Sequence, residues 1–382
     1  MIKRAGILLA AVLATLTSLS EAKVHAEEAA ASAGDIVLRK MIGQMVLVGF
    51  VGNKPEDEGY RTVLNQAAQG RISGVLYLTR NIRSLRAVGN LNERLQSVSS
   101  IPLLVALDQE GGRIERLTKT VGFKETPSAA SVAQYMSPGE AKAEYSNMAA
   151  GLAAFGFNLN LGPVVDLNTN PHNPIIGRLG RSYSSDEKKV VAYARAFIQG
   201  HRENGVITAL KHFPGHGSSS GDTHKGAVEV TDSWGDSELA PYRDLIASGD
   251  AQTIMSSHVV NRNIPDAEDT PASMSPATLI GLLRKKLKFK GVVISDDLQM
   301  GAIISTRSFE DAVRQAVLAG NDVLVFANDK RPDPAIPDRI SDFLLKEARS
   351  NPTILARIQE SYGRIMRLKN KLYPNASSAK AE

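Results

Sequence analysis

The chain has 382 residues, 43% of them hydrophobic, which is enough to build a full core in one large domain or two smaller ones. The formal net charge of +5 is small for this length, and no basic block interleaved with aromatic residues occurs, which argues against nucleic acid as a partner. The sequence contains no cysteine, which excludes disulfides, thiolate metal ligands and a cysteine-linked lipid anchor.

The first segment, residues 1–26, has the pattern of an export signal. Lys3 and Arg4 form a short positive region, and Ile7 to Leu16 is an apolar stretch too short to span a bilayer comfortably. Val24-His25-Ala26 places small residues at the positions that a signal peptidase reads. We expect release of the protein to a periplasmic or extracellular location, with no stable membrane association. Retention of the segment as a membrane anchor is the alternative.

Two polar segments flank the predicted folded domain. Residues 27–34 are small and Ala-rich, which predicts a flexible leader, and residues 374–382 form a polar stretch without periodicity, which predicts a disordered tail. The expected folded unit is therefore a single domain over residues 35–373.

Short apolar runs recur eight times within this domain. Several are rich in Val, Ile and Leu with little alternation, as is typical of parallel strands buried on both faces. In chain order the runs are Met41 to Phe50, Ile72 to Thr79, Pro102 to Asp108, Phe157 to Leu167, Val206 to His212, Thr253 to Val260, Gly291 to Asp296 and Asp322 to Ala327.

Helix signals separate these runs. Ser137 to Glu140 combines an N-cap serine, a proline at the first helical position and a glutamate at the third. Ser275-Pro276 predicts the start of a second helix, and Ser308 predicts a third that stops at Gly320. Eight strands in alternation with helices favour a (β/α)8 barrel. A doubly wound open sheet is the rival fold, but Gly111-Gly112 lacks the spacing of a dinucleotide-binding loop.

Polar residues gather where five of the predicted strands end. In a barrel these ends share one rim, and the chemistry of such proteins lies there. For Asp166 and Asp297, capping the next helix or pairing with an arginine is an equal alternative, and His258 is expected to be a hydrogen-bonded rim residue. The polar residues are Asp108, Glu110 and Arg113 after the third run, Asp166 with Arg178 and Arg181 after the fourth, Lys211, His212 and His216 at the fifth, His258 at the sixth, and Ser295, Asp296 and Asp297 at the seventh.

The stretch from Lys211 to His224 contains three of the chain's seven histidines in a loop of Gly and Ser. One interpretation is a metal site, although no helical H-E-x-x-H or facial-triad pattern frames these residues. The other is a mobile loop that carries a proton-transfer pair. The spacing of Asp222 and His224 lets the carboxylate reach an imidazole nitrogen, which would fix its tautomer and raise its basicity.

Four motifs, which also occur in the same order along the chain as in the family, resemble the β-N-acetylglucosaminidase branch of glycoside hydrolase family 3. The resemblance covers roughly Asp35 to Leu372 and departs in Tyr183, where the family often has Phe, and in the export signal, since the best-known bacterial members are cytoplasmic. The motifs are Lys211-His212-Phe213-Pro214-Gly215-His216-Gly217 followed by Asp222-Thr223-His224, then Ser295 to Met300, Asp108 to Arg113, and Gly180 to Tyr183.

The resemblance implies a retaining β-N-acetylglucosaminidase on a single (β/α)8 barrel. It implies that Asp296 is the nucleophile and that His224, held by Asp222, is the general acid/base. It further implies no metal, no cofactor and a small GlcNAc-containing oligosaccharide as substrate. The residues that would hold the sugar are Asp108, Arg116, Arg181, Lys211 and His212.

Physical chemistry is consistent with this assignment. An imidazole with a pKa near ~6.5 can donate and accept a proton close to neutral pH. We also expect the nearby Lys211, Arg181 and His212 to lower the pKa of the nucleophile. Because an imidazole does not repel phosphate as a carboxylate would, a β-N-acetylglucosaminide phosphorylase is one alternative. A secreted sugar-binding barrel without catalysis is another.

Overall fold

The computed structural model describes residues 33–373 and contains a closed barrel of eight parallel strands. Each strand pairs with its neighbours in chain order, and β8 closes the barrel by pairing with β1. The predicted fold class is thereby confirmed. The strands are β1 Val46–Gly49, β2 Gly74–Tyr77, β3 Leu104–Leu107, β4 Leu159–Asn160, β5 Ile207–Phe213, β6 Thr253–Ser256, β7 Val292–Asp297 and β8 Val323–Phe326.

All eight apolar runs contain a barrel strand, because the strands are covered by side chains inside and by helices outside. Every residue of β1, β2, β3 and β8 is buried. The first run is only partly strand, since residues 33–43 are helical and β1 begins at Val46. Ile42 is fully buried in that helix, so a buried helix end and a buried strand form one apolar run that periodicity cannot divide.

Helices cover the outside of the barrel and make up much of the chain between its strands. Besides residues 33–43 they are Glu58–Ala68, Leu85–Val98, Ala129–Tyr135, Pro138–Ala154, Glu187–Glu203, Ala240–Ala247, Ala277–Lys286, Gly301–Ile304, Phe309–Ala319, Ile336–Ser350 and Pro352–Leu372. Two short strands, Val228–Glu229 and Val259–Val260, pair with each other outside the barrel.

The predicted helix starts are confirmed by their caps. The Ser137 hydroxyl accepts a hydrogen bond from the Glu140 N–H, while the Glu140 carboxylate accepts one from the Ser137 N–H. The Ser308 hydroxyl accepts the Asp311 N–H at the start of its helix, and Gly320 ends that helix with a left-handed φ of 119°. The helix after Ser275-Pro276 is a π-helix over Ala277–Lys286.

The ends of the chain limit what can be compared with the sequence predictions. The predicted export signal and tail lie outside the described residues, as does most of the predicted leader. Residues 33 and 34, its last two, belong to the first helix. Between residues 33 and 373 no helix is long and apolar enough to cross a membrane.

Candidate active site

A cavity of about 260 Å³ lies at the carboxyl ends of the barrel strands. Parallel strands that point the same way place their last residues on one rim, so residues far apart in sequence meet there. Asp222 does not line this cavity but contacts His224, which does. The predicted residues that line it are Asp108, Arg116, Arg181, Lys211, His212, His224 and Asp296.

Five charged side chains form what we call the ion cluster: Asp108, Glu110, Arg116, Arg181 and Lys211. The Lys211 ammonium lies between two carboxylates, 2.8 Å from Asp108 and 2.7 Å from Glu110. Arg116 donates to Asp108 at 2.8 Å, and Arg181 donates to both oxygens of Glu110 at 2.8 and 2.7 Å. The Lys211 side chain is only 3% exposed, so these pairs act in a region of low dielectric.

The ion cluster keeps its carboxylates ionised. Burial alone would raise both pKa values, but Lys211 and Arg116 hold the pKa of Asp108 well below its usual range. In the same way Arg181 and Lys211 lower the pKa of Glu110 to about 2. The cluster therefore presents fixed charges and hydrogen-bonding groups to the cavity at neutral pH.

His212 is oriented by a carboxylate behind it. Nδ1 of His212 donates to the fully buried Asp166 at 2.7 Å, which leaves Nε2 as the ring nitrogen available to a ligand. Asp166 also accepts the backbone N–H groups of His212 and His216 at 3.1 and 2.9 Å. Asp166 thus holds a histidine, rather than an arginine or a helix end.

Asp296 and Asp297 end β7 in different environments. Asp296 lines the cavity, and one of its oxygens accepts the Asp297 N–H at 2.8 Å. Asp297 also lines the cavity, and its Oδ1 accepts the N–H groups of Gln299 and Ala327, each at 3.0 Å. Asp297 thus holds neighbouring backbone through one oxygen, rather than an arginine.

Histidines surround the Asp296 carboxylate. Burial would raise the pKa of Asp296, but electrostatic interaction with His258, His212 and His224 lowers it below its usual value. Of the three cationic residues expected to lower this pKa, His212 does so. Lys211 and Arg181 are not among its main causes, because Lys211 is paired with Asp108 and Glu110 and Arg181 with Glu110. Burial and two backbone hydrogen bonds act on Asp297, and the net result raises its pKa to about 6.

The Asp222–His224 pair lies on the loop after β5. Nδ1 of His224 donates to Asp222 at 2.8 Å, and the His224 side chain is 59% exposed while it still lines the cavity. The predicted contact is therefore present. Burial raises and the His224 hydrogen bonds lower the pKa of Asp222, with a net decrease. Among residues 33–373 no group of three His, Cys, Asp or Glu is placed to bind a metal ion.

Comparison with known proteins places this barrel in a family. Residues 37–368 match the glycosyl hydrolase family 3 N terminal domain. The chain belongs to glycosyl hydrolase family 3. A "Beta-hexosaminidase" of Tolumonas auensis is 33% identical over 276 residues, covering 71% of this chain and 80% of that protein. "Beta-hexosaminidase A" of Pseudoalteromonas piscicida is 30% identical over 328 residues, covering 80% of this chain but only 54% of its own length.

A solved structure agrees with the family assignment. The structure titled as a Beta-N-acetylhexosaminidase from Beutenbergia cavernae superposes with a TM-score of 0.79 at 30% identity, and the match covers 87% of this chain and 98% of that one. The predicted family is confirmed, and the predicted class of enzyme, a glycoside hydrolase, is the class of this family.

Three residues of the family 3 barrel matter to the site more than their sequence context showed. The sequence places Glu110, Asp166 and His258 at strand ends, but it does not identify the residues that they contact. Glu110 and Asp166 hold Arg181 and His212, while buried His258 donates from Nε2 to the Asp297 carbonyl at 2.9 Å. A charged residue immediately after an apolar strand was the available signal, but the sequence does not specify which residue on another strand it meets.

Proposed function

We propose that the protein hydrolyses terminal β-linked GlcNAc from small oligosaccharides, with retention of configuration. One observation carries this proposal: an ionised carboxylate, Asp296, and an imidazole held by a carboxylate, His224 with Asp222, line the same cavity. The names of the relatives support the sugar assignment, and the aglycone is left open.

In the first step, an Asp296 oxygen attacks the anomeric carbon of the sugar. The bond to the leaving oxygen breaks, and that oxygen takes the proton from Nε2 of His224, because Nδ1 is engaged by Asp222. In the second step, Nε2 of His224 takes a proton from water, the water oxygen bonds to the anomeric carbon, and Asp296 leaves as a carboxylate. Asp222 stabilises the imidazolium present before the first step and after the second.

The size of the cavity favours one sugar residue. About 260 Å³ is below the range of roughly 300–1,000 Å³ that is typical of sites for larger ligands. Asp108, Lys211 and Arg116 offer both acceptors and donors for hydroxyl groups, and His212 and Arg181 add donors for an acetamide. A single bound residue is what removal of a terminal sugar requires.

The proposed chemistry uses only protein side chains, so we expect the rate to be insensitive to chelators. We further propose that the export signal of residues 1–26 directs the protein out of the cytoplasm, so that its substrates are chitin-like or peptidoglycan-derived oligosaccharides. N-terminal sequencing of the protein recovered from its native host tests this location. A mature start near residue 27 supports it, and an intact Met1 in a membrane fraction contradicts it.

The decisive test is a panel of aryl glycosides of GlcNAc, GalNAc and glucose, each with and without added phosphate. We expect strong preference for GlcNAc over glucose and free GlcNAc as the product in both media. A GlcNAc 1-phosphate product that requires phosphate would identify a phosphorylase instead. Equal rates on GlcNAc and glucose would contradict the sugar assignment, and no turnover on any sugar would favour a binding protein.

A further inference from the structure

A second cavity, of about 520 Å³, lies at the opposite end of the barrel. We call it the amino-end cavity, because Gln252 and Gly291, which immediately precede β6 and β7, line it. It is remote from the catalytic rim and no step of the proposed hydrolysis uses it. Six cationic side chains line it, and no Asp or Glu does: Arg202, Lys288, Lys290, Arg364, Arg367 and Lys371.

Most of this positive charge has no local partner. Arg202 pairs with Asp250 at 3.2 Å, and Arg364 pairs with Asp322 at 3.0 Å and with Glu360 at 3.3 Å. For the other four cations, no carboxylate within residues 33–373 lies closer than the 4 Å expected of an ion pair. The carboxylate behind the cavity cannot supply one, because Asp322 is already surrounded by Arg284, Arg357 and Arg364. Like charges held together in one concavity create a strongly positive potential that attracts anions.

Lys288 lies at a position where the fold favours a different residue. It directly follows Leu287, the C-cap of the Ala277–Lys286 helix, and has a φ of 60°. This left-handed position after a helix is the one that glycine most often occupies, because a Cβ atom is strained there. A lysine at this position is less stable than a glycine would be, and it adds a further positive charge to the lining of the cavity.

The cavity also has an apolar part. Phe289 and Leu368 are 3% and 6% exposed, and with Ile246 they line the same cavity as the cations. A membrane surface is flat and would not enter a concavity of this size, whereas a discrete molecule would. A cavity lined by both apolar and cationic side chains suits a ligand with an organic part and a compact group of several negative charges.

We propose that the amino-end cavity binds an organic diphosphate, a small molecule with a diphosphate group on a ring-containing moiety. Diphosphate oxygens match both the fork of Arg367 and the point charges of Lys288, Lys290 and Lys371. Phe289 and its apolar neighbours would contact the organic moiety. This site is independent of the proposed glycosidase, and its failure would leave that proposal intact.

The test uses the full chain and isothermal titration calorimetry with ADP, pyrophosphate and adenosine as probes. We expect ADP to bind more tightly than pyrophosphate, adenosine not to bind, and ADP binding to weaken as salt is added. Arg367→Gln and Lys290→Gln should each raise the Kd for ADP roughly tenfold. The matched control is Lys188→Gln, an exposed lysine at the far end of the Glu187–Glu203 helix, which should leave the Kd unchanged.

Lys288→Gly gives the most specific outcome, because its two effects have opposite signs. Relief of backbone strain should raise the midpoint of thermal unfolding, while loss of the charge should weaken ADP binding by about tenfold. Hydrolysis of the GlcNAc aryl glycoside should stay at the wild-type rate. Three results would overturn the proposal: no ADP binding, equal weakening by Lys188→Gln, or binding only to vesicles of anionic phospholipid and not to ADP.

Discussion

The catalytic rim combines two regions that are built in opposite ways. The ion cluster is buried, and its central Lys211 is 3% exposed between two carboxylates. The Asp222–His224 pair is on a loop, and the His224 side chain is 59% exposed. A group that orients a sugar benefits from fixed geometry, whereas a group that exchanges protons with water must reach water. Under the proposed function, the buried cluster would hold the sugar and the exposed pair would transfer protons.

The largest effect on turnover is expected for Asp296, the proposed nucleophile that attacks the anomeric carbon of the sugar. Asp296→Asn replaces the attacking carboxylate with a neutral amide, so turnover should fall on the order of 10⁴-fold or more, while the midpoint of unfolding changes little. Steady-state kinetics and circular dichroism measure the two. A slow fluorinated GlcNAc substrate should label Asp296 in peptide mass spectra. Label on Asp297 instead would reverse the assignment.

Removal of the exposed imidazole tests the proton-transfer region. His224→Ala should slow hydrolysis of a natural disaccharide by ~10²–10⁴-fold, because the leaving oxygen then departs without a proton. An aryl leaving group needs little proton assistance, so its first step should survive better. The second step lacks its base with either substrate, so the glycosyl-enzyme should accumulate. Azide, which attacks without a base, should then restore turnover.

The matched control for His224→Ala is His172→Ala. His172 is also an exposed histidine, in the segment between β4 and β5, but it does not line the cavity. It should retain wild-type rates on both substrates. Uniform losses in His224→Ala without azide rescue would show that Asp222 and His224 only shape the loop. Asp222→Ala should behave as a milder form of the same defect.

Substitution within the buried ion cluster should lower the free energy of unfolding. Glu110→Gln leaves Arg181 and Lys211 without one carboxylate, and breaking a buried pair costs on the order of 3 kcal/mol in the free energy of unfolding at neutral pH. Because the pKa of Glu110 is lowered from 4.5 to about 2, its contribution is present above pH 4.5 and lost as the pH falls towards 2. Urea unfolding should therefore show the wild type and Glu110→Gln converging over that range.

Glu93→Gln serves as the control for this measurement. Glu93 is exposed on the Leu85–Val98 helix and has no ion pair among the described residues. Its substitution should change stability little at any pH. A gap between wild type and Glu110→Gln that stays constant from neutral pH to pH 2 would show that Glu110 contributes packing rather than charge.

The sequence predicted the fold and the positions of the site better than the contacts within it. Eight buried runs and the caps at Ser137 and Ser308 are local patterns, so they could be recognised without the structure. Pairing across the rim is not local: Lys211 meets Glu110 from another strand, and neither residue's neighbours indicate the other. For the same reason, the sequence does not show that Lys211 and Arg181 contact other carboxylates instead of lowering the pKa of Asp296. Proximity on a rim does not say which carboxylate a cation selects.

The smallest effect on turnover is expected for Asp297→Asn. This variant tests whether Asp296 and Asp297, at the end of β7, have different roles. An asparagine oxygen can still accept the N–H groups of Gln299 and Ala327, so turnover should fall by less than about tenfold. The pKa of Asp297 is raised from 3.8 to about 6, so between these values the folded protein holds a proton that the unfolded chain has lost. Wild-type stability should fall through that window as the pH rises, because ionising a buried carboxyl is costly.

Asparagine has no proton to lose, so Asp297→Asn should gain in stability relative to wild type between pH 3.8 and 6 and keep that gain above pH 6. Urea midpoints for both proteins across this range measure the gain. If turnover in Asp297→Asn fell as far as in Asp296→Asn, the two adjacent carboxyls would act as one catalytic unit. If the relative stability did not change with pH, Asp297 would be ionised in the folded state throughout, and its hydrogen bonds to backbone would outweigh its burial.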